Sequence, residues 1–574
     1  MASQKITLLV LTLIFGSFAA AQDLAELLPE DTIFALGMQG LSEADEQLEP
    51  FIAEFERLEV GEALSTLFES QEIGGETGGM DEMAEEVPDE VGALLSLEVL
   101  GQEAWIALSA SSFSPLPAAT LITQLTPEAV EQVGPLLEQA NAQESPETLT
   151  EGDYTFYQLP IQDADPIQVV AYAQADDLLM ISTNPETLRG VLRRLGGASE
   201  PNFAESEGYA QTLGTLESGA FYGYLDYAGI ADVAEPFSQG FGFDQLVTRL
   251  STAFQTAGVS GGVARLTDEG VITEGFQALN AEGGDSELYD LLTSSDAADL
   301  DTQRFAPEGA LGYSVSATDL SGWYDYLNSL ATSVPELGGD LDSLLLSFTG
   351  INLRQTFFDW TDAQVITVTT GLGEPTEPGV PSENLLGEAV YLIQASDESE
   401  AEEGLAVLFE SVSQSVAAFS DPMGGSGSAT SSTEQVGDVE VIRYDVTDGV
   451  SLSYAVTDGY ALIATTEDAM RSVLEAEESL DADFGVVPEG ASTVGYSDAQ
   501  ATLEGSAQQI GSQLELAAGL GGASGLNFDE VENASSVLEE YLSFVASRLG
   551  DSVSYGERAD EGVTSYSETE VDWE

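Results

Sequence analysis

The chain contains no cysteine and no histidine, and its one lysine is Lys5. Each absence removes a class of chemistry. Without Cys there are no disulfides and no lipid-modified Cys behind a leader, so stability must come from packing; large domains manage this even when exported. Without His or Cys the usual zinc and copper sites have no ligands. Ser-His-Asp and Cys-His catalysis has no base. Once Lys5 leaves with a leader, Ser-Lys catalysis, Schiff bases and the Lys-containing phosphate loop are excluded as well. No Gly-x-Gly-x-x-Gly fingerprint follows a strand, and no Asp-Thr-Gly or Asp-Ser-Gly marks an aspartic protease. Only four Trp are present to line sugar subsites.

Positive charge is equally scarce. There are 102 acidic residues against 13 basic ones, a net charge of −89. Loss of Lys5 leaves twelve arginines and a net charge of −90. Such a surface repels nucleic acid, which is bound mainly through Lys and Arg on phosphates, and it repels anionic lipid headgroups. It also repels itself. Salt relieves that repulsion because the Debye length shrinks to about 3 Å at 1 M. Hydrophobic residues make up 43% of the chain, too many for a disordered protein in spite of the charge. The bias reads as adaptation to a saline setting, with an acidic niche or cation binding as the alternatives.

What is present begins with a leader. Lys5 precedes an apolar run, Ile6–Phe18, broken only by Thr7, Thr12, Gly16 and Ser17, and Ala19-Ala20-Ala21 supplies small residues for cleavage before Gln22. This is the pattern of a secretory signal peptide. The run is shorter than the roughly 20 residues needed to cross a bilayer, and no later stretch is long and apolar enough. The expectation is an exported protein, periplasmic or extracellular, with residues 1–21 removed and no transmembrane span in the mature chain.

The mature sequence reads as two diverged copies of one unit. Tyr172–Leu192 and Tyr454–Leu474 align without a gap at an offset of 282 positions, with Tyr172/Tyr454, Asp176/Asp458, Thr183/Thr465 and Arg189/Arg471 among the identical pairs. Further matches run in the same order: Pro29-Glu30 with Pro307-Glu308, Gly223-Tyr224-Leu225-Asp226 with Gly495-Tyr496-Ser497-Asp498, and Asp268-Glu269-Gly270-Val271 with Asp560-Glu561-Gly562-Val563. They place the copies at Gln22–Gly284 and Asp285–Glu574.

Each copy is expected to open with a strand (Thr32–Leu36; Ala310–Val315), followed by acidic amphipathic helix (Gln47–Phe68; Leu320–Leu330) and a second strand (Trp105–Ser109; Val365–Thr370). A strand-then-helix segment comes next (Thr120–Gln139; Glu388–Phe419). Then comes a meander of three strands, in the second copy Val439–Tyr444, Ser451–Val456 and Ala461–Thr465. Asp448-Gly449 and Asp458-Gly459 between apolar runs are hairpin signals, since the turn needs φ > 0. Helices start at Asn184-Pro185 and Thr466-Glu467, where a capping residue precedes early acids. A further strand and helix follow, and an Asp-Glu-Gly hairpin closes the copy. Gln71–Glu90, Gly371–Asn384, Ser420–Gln435 and Gly519–Gly525 are Gly-, Pro- or Ser-rich and read as loops. The fold class is α+β: two tandem copies, each a mainly antiparallel sheet with helices packed on one face.

The opening Leu28-Pro29-Glu30-Asp31-Thr32, and a meander ending in a strand and a helix of the type Thr183–Arg189, resemble the exported bacterial family called domain of unknown function 3352. The second copy departs from the opening, with Ala306-Pro307-Glu308-Gly309-Ala310. The resemblance would cover nearly the whole mature chain. It implies no activity, cofactor or catalytic residue.

Carboxylates and arginines are the remaining functional groups. Asp296, Asp299 and Asp301 cluster between the copies, and Asp397, Glu398, Glu400, Glu402 and Glu403 precede a helix. Oxygen ligands suit Ca²⁺, but neither set has EF-hand spacing with its central Gly, and solvated acidic loops explain both. Arg189 and Arg471 read either as clamps for a ligand carboxylate or as intramolecular ion pairs. Tyr172/Tyr454 and Tyr224/Tyr496 read as packing residues or as a binding platform, and Asp226/Asp498 as helix caps. The leading function is a non-enzymatic envelope or secreted protein that binds an unidentified partner or scaffolds. The alternatives are a carrier of an apolar ligand held between sheet and helices, and a hydrolase working with two carboxylates alone.

The charge generates a measurable expectation. Exposed charge pairs are worth about 0–1 kcal/mol each, but repulsion summed over the surface rivals a net stability of about 5–15 kcal/mol. The melting temperature should therefore rise steeply across a NaCl series. A flat series overturns the saline reading, and extra stabilisation by CaCl₂ at matched ionic strength favours a cation site.

Overall fold

The computed structural model describes residues 24–39, 45–58, 60–61, 63, 103–110, 117–144, 146–160, 169–238, 244–281, 284–294, 296–332, 339–372, 387–420, 430–447, 450–507, 528–559 and 561–573. The signal sequence, the loops Gln71–Glu90 and Gly519–Gly525, the turn Asp448-Gly449 and most of Gly371–Asn384 lie outside the described residues. The chain divides into two compact units. Unit 1 is Met1–Gln239, Ser251–Gly284 and Trp573–Glu574; unit 2 is Gly240–Leu250 and Asp285–Asp572.

In unit 1 the strands are β1 (Thr32–Gln39), β2 (Glu103–Ser109), β3 (Ala118–Gln124), β4 (Glu147–Glu151), β5 (Tyr154–Pro160), β6 (Val169–Ala175), β7 (Leu178–Ser182), β8 (Phe221–Asp226), β9 (Val259–Leu266) and β10 (Gly270–Ala278). They lie in the order β4-β5-β6-β7-β3-β2-β1-β8-β9-β10, and every one of these pairings is antiparallel. The helices used below are α1 (Asp45–Arg57), α2 (Pro127–Glu144), α3 (Pro185–Leu195) and α4 (Tyr227–Ser238).

In unit 2 the strands are β11 (Gly312–Ala317), β12 (Thr361–Gly371), β13 (Glu388–Ala395), β14 (Thr430–Val436), β15 (Val439–Thr447), β16 (Val450–Thr457), β17 (Tyr460–Ala464), β18 (Thr493–Asp498), β19 (Leu549–Ala559) and β20 (Gly562–Val571). Their order is β14-β15-β16-β17-β13-β12-β11-β18-β19-β20, again antiparallel throughout. Its helices include α5 (Leu320–Thr332), α6 (Glu398–Ser420), α7 (Glu467–Leu474) and α8 (Phe528–Ala546).

The expectation of helices on one face is corrected: each sheet carries helices on both. Successive side chains of a strand point to opposite faces. On β7, Leu178 and Met180 join the core with Leu188, Val191 and Leu192 of α3, whereas Leu179 and Ile181 face Ala129, Val133 and Leu137 of α2. On β17, Leu462 and Ala464 meet Met470 and Val473 of α7, whereas Ala461 and Ile463 meet Leu405 and Phe409 of α6. Runs such as Leu178–Ile181 and Tyr460–Ala464 are apolar at nearly every position because both faces are covered. The missing polar alternation was the sign of this, since an antiparallel sheet with one solvated face alternates.

A second correction concerns Ser420–Gln435. Residues 430–436 form β14, so the meander has four strands. Its sequence, Thr-Ser-Ser-Thr-Glu-Gln-Val, carries one apolar residue because it lies at the sheet edge, where among its side chains Val436 is buried and those of Ser431–Gln435 are exposed. The hairpin and cap expectations hold where they are described. Asp458 (φ 53°) and Gly459 (φ 79°) turn β16 into β17 with positive φ at both positions, and in the turn Asp176-Asp177 between β6 and β7 the first residue alone has positive φ, at 53°. Asn184 accepts from Glu186 N–H to cap α3, and Thr466 accepts from Ala469 N–H to cap α7.

Gly37 on β1 lies beneath Trp105, which is opposite it on β2 and only 2% exposed. A Cβ at 37 would stand 2.6 Å from the indole. Gly37→Ala should therefore lower stability by about 1–3 kcal/mol through overpacking. Gly223→Ala on β8, whose Cβ would meet only Leu36 at 3.9 Å, should stay within about 0.5 kcal/mol. Urea midpoints at fixed salt make the comparison, and equal losses would refute the packing account.

Candidate functional cleft

The side chains with chemistry left to them gather on unit 2 beside α7. This helix starts at Thr466 with Glu467 and Asp468 in its first turn, where carboxylates suit the N-terminal end of the dipole. Ala469, Met470 and Val473 fix it to the sheet, leaving Glu467 and Arg471, one turn apart, on the outward side. Arg443 on β15 donates from Nε to Asp445 at 2.8 Å and from Nη1 to Glu467. Arg471 donates from Nη2 to Glu467 at 2.8 Å and to Glu434 on β14. Glu467 thus joins two guanidiniums. The hydrogen bond to Glu467 and the charge of Glu434 hold Arg471 above its ordinary pKa. For Arg443, desolvation opposes the charge, but Asp445 and Glu467 outweigh it and the net shift is upward.

These residues border a cleft of about 70 Å³, room for roughly five waters. Val436, Val441 and Met470 form its apolar floor, and Ser432 and Ser453 add hydroxyls. Ser453 is 3% exposed, and its Oγ has no hydrogen-bond partner among the described residues. A buried hydroxyl left this way costs about 1–3 kcal/mol.

The corresponding place in unit 1 is filled. The β4–β5 and β14–β15 turns have the same form, with Gly152 at φ 59° and Gly437 at φ 60°, so strand register gives matching positions. Leu149 opposite Phe156 stands where Glu434 is opposite Val441. Gln158 opposite Ala171 stands where Arg443 is opposite Ser453. Phe156 is 0% exposed and plugs the space beneath Arg189, whose guanidinium lies 5.5 Å from its ring centroid. Sequence reading missed the cleft because it followed the identities between the copies. The signal lay in the differences, Phe156 against Val441 and Ala171 against Ser453.

Arg189 pairs with Glu186 at 3.2 Å and Arg471 with Glu434 and Glu467, so both take part in intramolecular ion pairs. Asp296, Asp299, Asp301, Asp397, Glu398 and Glu400 are all exposed. Asp299 accepts from the N–H of Asp301, Asp397 from those of Ser399 and Glu400, and Glu398 from that of Gly459. These three carboxylates turn to backbone donors, and among the described residues no group of three or more acids converges on a metal-sized centre. Asp226 caps α4 through Gly229 N–H, and Asp498 accepts from Ala501 N–H. Burial raises the Asp226 carboxyl, opposed by the N–H groups of Gly229 and Ala228. Tyr224 is buried against Phe203 at 4.8 Å, and Tyr496 donates to Asp551 at 2.9 Å.

Tyr172 and Tyr454 are buried at matching positions, and burial pushes each hydroxyl up to about 12. They differ in one respect. Tyr172 donates to Asn141 of α2, while the Tyr454 hydroxyl has no hydrogen-bond partner among the described residues.

Comparisons with known proteins bear on family alone. The family model described as a protein of unknown function, DUF3352, matches residues 125–506, and the chain belongs to that family. No curated protein matches. A solved structure, crystal form I of TP0453, aligns at 10% identity over 48% of this chain and 88% of that chain, with a TM-score of 0.23.

The tyrosine pair supplies a test of the hydrogen-bond accounting. Tyr172→Phe should lose about 1 kcal/mol, while Tyr454→Phe should leave stability unchanged or raise it by up to about 1 kcal/mol. Chemical denaturation of both variants at constant salt decides it, and equal losses would contradict the structure.

Proposed function

We propose that the chain is an exported, non-enzymatic binding or scaffold protein of two diverged copies of one unit, Gln22–Gly284 and Asp285–Glu574, with a surface suited to a saline setting. The observation that carries the non-enzymatic reading is the use made of the available chemical groups. Asp226, Asp299, Asp397 and Asp498 accept from backbone N–H groups, and Arg189, Arg443 and Arg471 are tied to carboxylates. The groups that usually supply nucleophiles and bases, Cys, His and Lys, are missing beyond the leader.

The duplication is supported by the common ten-strand order, the matching hairpin register and the recurring caps. The two isolated bridges that lie outside the strands, Pro29 with Asn202 and Pro307 with Ser479, also match.

The alternatives fare less well. A carrier of an apolar ligand needs open space between sheet and helices, yet Ile122, Leu188 and Val191 in unit 1 and Val390, Leu392 and Leu405 in unit 2 are all 0% exposed. A hydrolase of two carboxylates would use Glu434 and Glu467, but both accept from the same nitrogen of Arg471. Among the described residues no helix is long and apolar enough to cross a membrane.

Purification from the native source tests the reading. The protein should begin near Gln22 on N-terminal sequencing and carry a retained small molecule or partner by native mass spectrometry. Intact Met1–Ala21 in the membrane fraction would overturn export with cleavage, and turnover of a glycoside substrate would overturn the non-enzymatic assignment.

A further inference from the structure

The cleft beside α7 differs from the filled site of unit 1 at four neighbouring positions on three strands. Leu149, Phe156, Gln158 and Ala171 there are Glu434, Val441, Arg443 and Ser453 here. The changes act together. Val441 removes the bulk that Phe156 supplies, Glu434 and Arg443 bring charges of both signs to the rim, and Ser453 puts a hydroxyl on the wall. That hydroxyl, buried and without a hydrogen-bond partner among the described residues, lines the cleft and is a donor open to a ligand. From these observations we infer that the cleft binds a small zwitterion of the α-amino-acid class, a carboxylate and a cationic nitrogen a few atoms apart on a short body.

The charge pattern selects this class. Arg443 Nη2 and the Nε and Nη1 of Arg471 make no hydrogen bond among the described residues, because the bonds of these two side chains use Arg443 Nε and Nη1 and Arg471 Nη2. Planar guanidinium donors match a carboxylate, and Ser453 Oγ–H adds a neutral donor from the wall. Glu434 and Glu467 keep acceptor capacity for an ammonium or alkylated nitrogen. The lining itself carries two arginines and two glutamates, with Asp445 paired to Arg443 beside it, so charges of both signs meet there. A simple anion would also meet the repulsion of a chain whose net charge is −89, whereas a zwitterion has no net charge to be repelled. A simple cation would meet two guanidiniums. The floor of Val436, Val441 and Met470 suits a short apolar body.

This inference rests on the binding-protein reading above and names a ligand class for it. The test is isothermal titration of the full mature chain, at one fixed ionic strength, with glycine, glycine betaine, acetate and methylammonium. At least one of the two zwitterions should bind, and acetate and methylammonium should bind at least tenfold more weakly. Ser453→Ala should weaken zwitterion binding roughly fivefold to tenfold, while its melting temperature stays at or above that of the unaltered protein. Val441→Phe, which copies the unit 1 plug, should abolish binding. Acetate or methylammonium binding as tightly as the zwitterions overturns the inference, as does zwitterion binding that survives both substitutions. Failure of all four probes overturns it too; the wider binding reading then still stands or falls on whether natively purified protein retains a partner.

Discussion

Like charges crowded on one surface set the terms for everything else in this protein. With 102 acidic residues and, beyond Lys5, only twelve arginines, attraction between side chains of opposite sign is limited by the supply of arginine. Several of the twelve therefore join different elements of the fold. Arg194 donates to the carbonyl of Leu27 and secures the first described turn to α3; burial lowers its pKa, and the charge of Glu200 acts against that shift. Arg558 on β19 donates to the carbonyl of Ala317 at the end of β11. Arg354 joins Asp325 and Asp359, and Arg265 crosses from β9 to Glu274 on β10. A carbonyl partner is useful here. It satisfies the guanidinium without drawing a second charge into a half-buried place, where removing ions from water is expensive.

The two units meet the same geometric demands with different residues. Gly37 opposite Trp105 in unit 1 stands where Val315 is opposite Ile366 in unit 2. One pair combines no side chain with the largest, the other two of middle size, and each fills the layer above the sheet. Phe156 and Val441 are a second such pair, but there the smaller residue has no large neighbour to compensate, and a cleft results. The same frame therefore tolerates substitution where volume is conserved and gains a surface feature where it is not.

Much of the frame was legible in the sequence, for local reasons. Asn184-Pro185 and Thr466-Glu467 are cap signatures that depend on a few adjacent residues. Asp458-Gly459 is a turn whose positive φ values restrict the choice of residue. The face on which each helix packs was not legible, because that information lies in which of two apolar neighbours, Leu178 or Leu179, meets which helix. The edge strand β14 was hidden for the opposite reason, since its mostly Ser, Thr and Gln composition matches that of a loop. The cleft needed strand register, which aligns Glu434 with Val441 and Arg443 with Ser453 across β14 to β16; no local motif carries that. The family match gives a membership and no chemistry.

The edge strands have a consequence for how molecules of this protein meet one another. In strong brine the electrostatic barrier between acidic molecules is largely screened, so charge no longer keeps two copies from touching. An open sheet edge with unpaired backbone groups would then be a template for intermolecular strand pairing. In β4, Glu-Thr-Leu-Thr-Glu, and β14, Thr-Ser-Ser-Thr-Glu-Gln-Val, the side chains along that edge are nearly all hydroxyls, amides and carboxylates. Their tightly held water must be stripped before two edges can join, and that requirement persists at ionic strengths where repulsion has faded. An edge of this composition resists strand pairing through its hydration even where charge repulsion is screened.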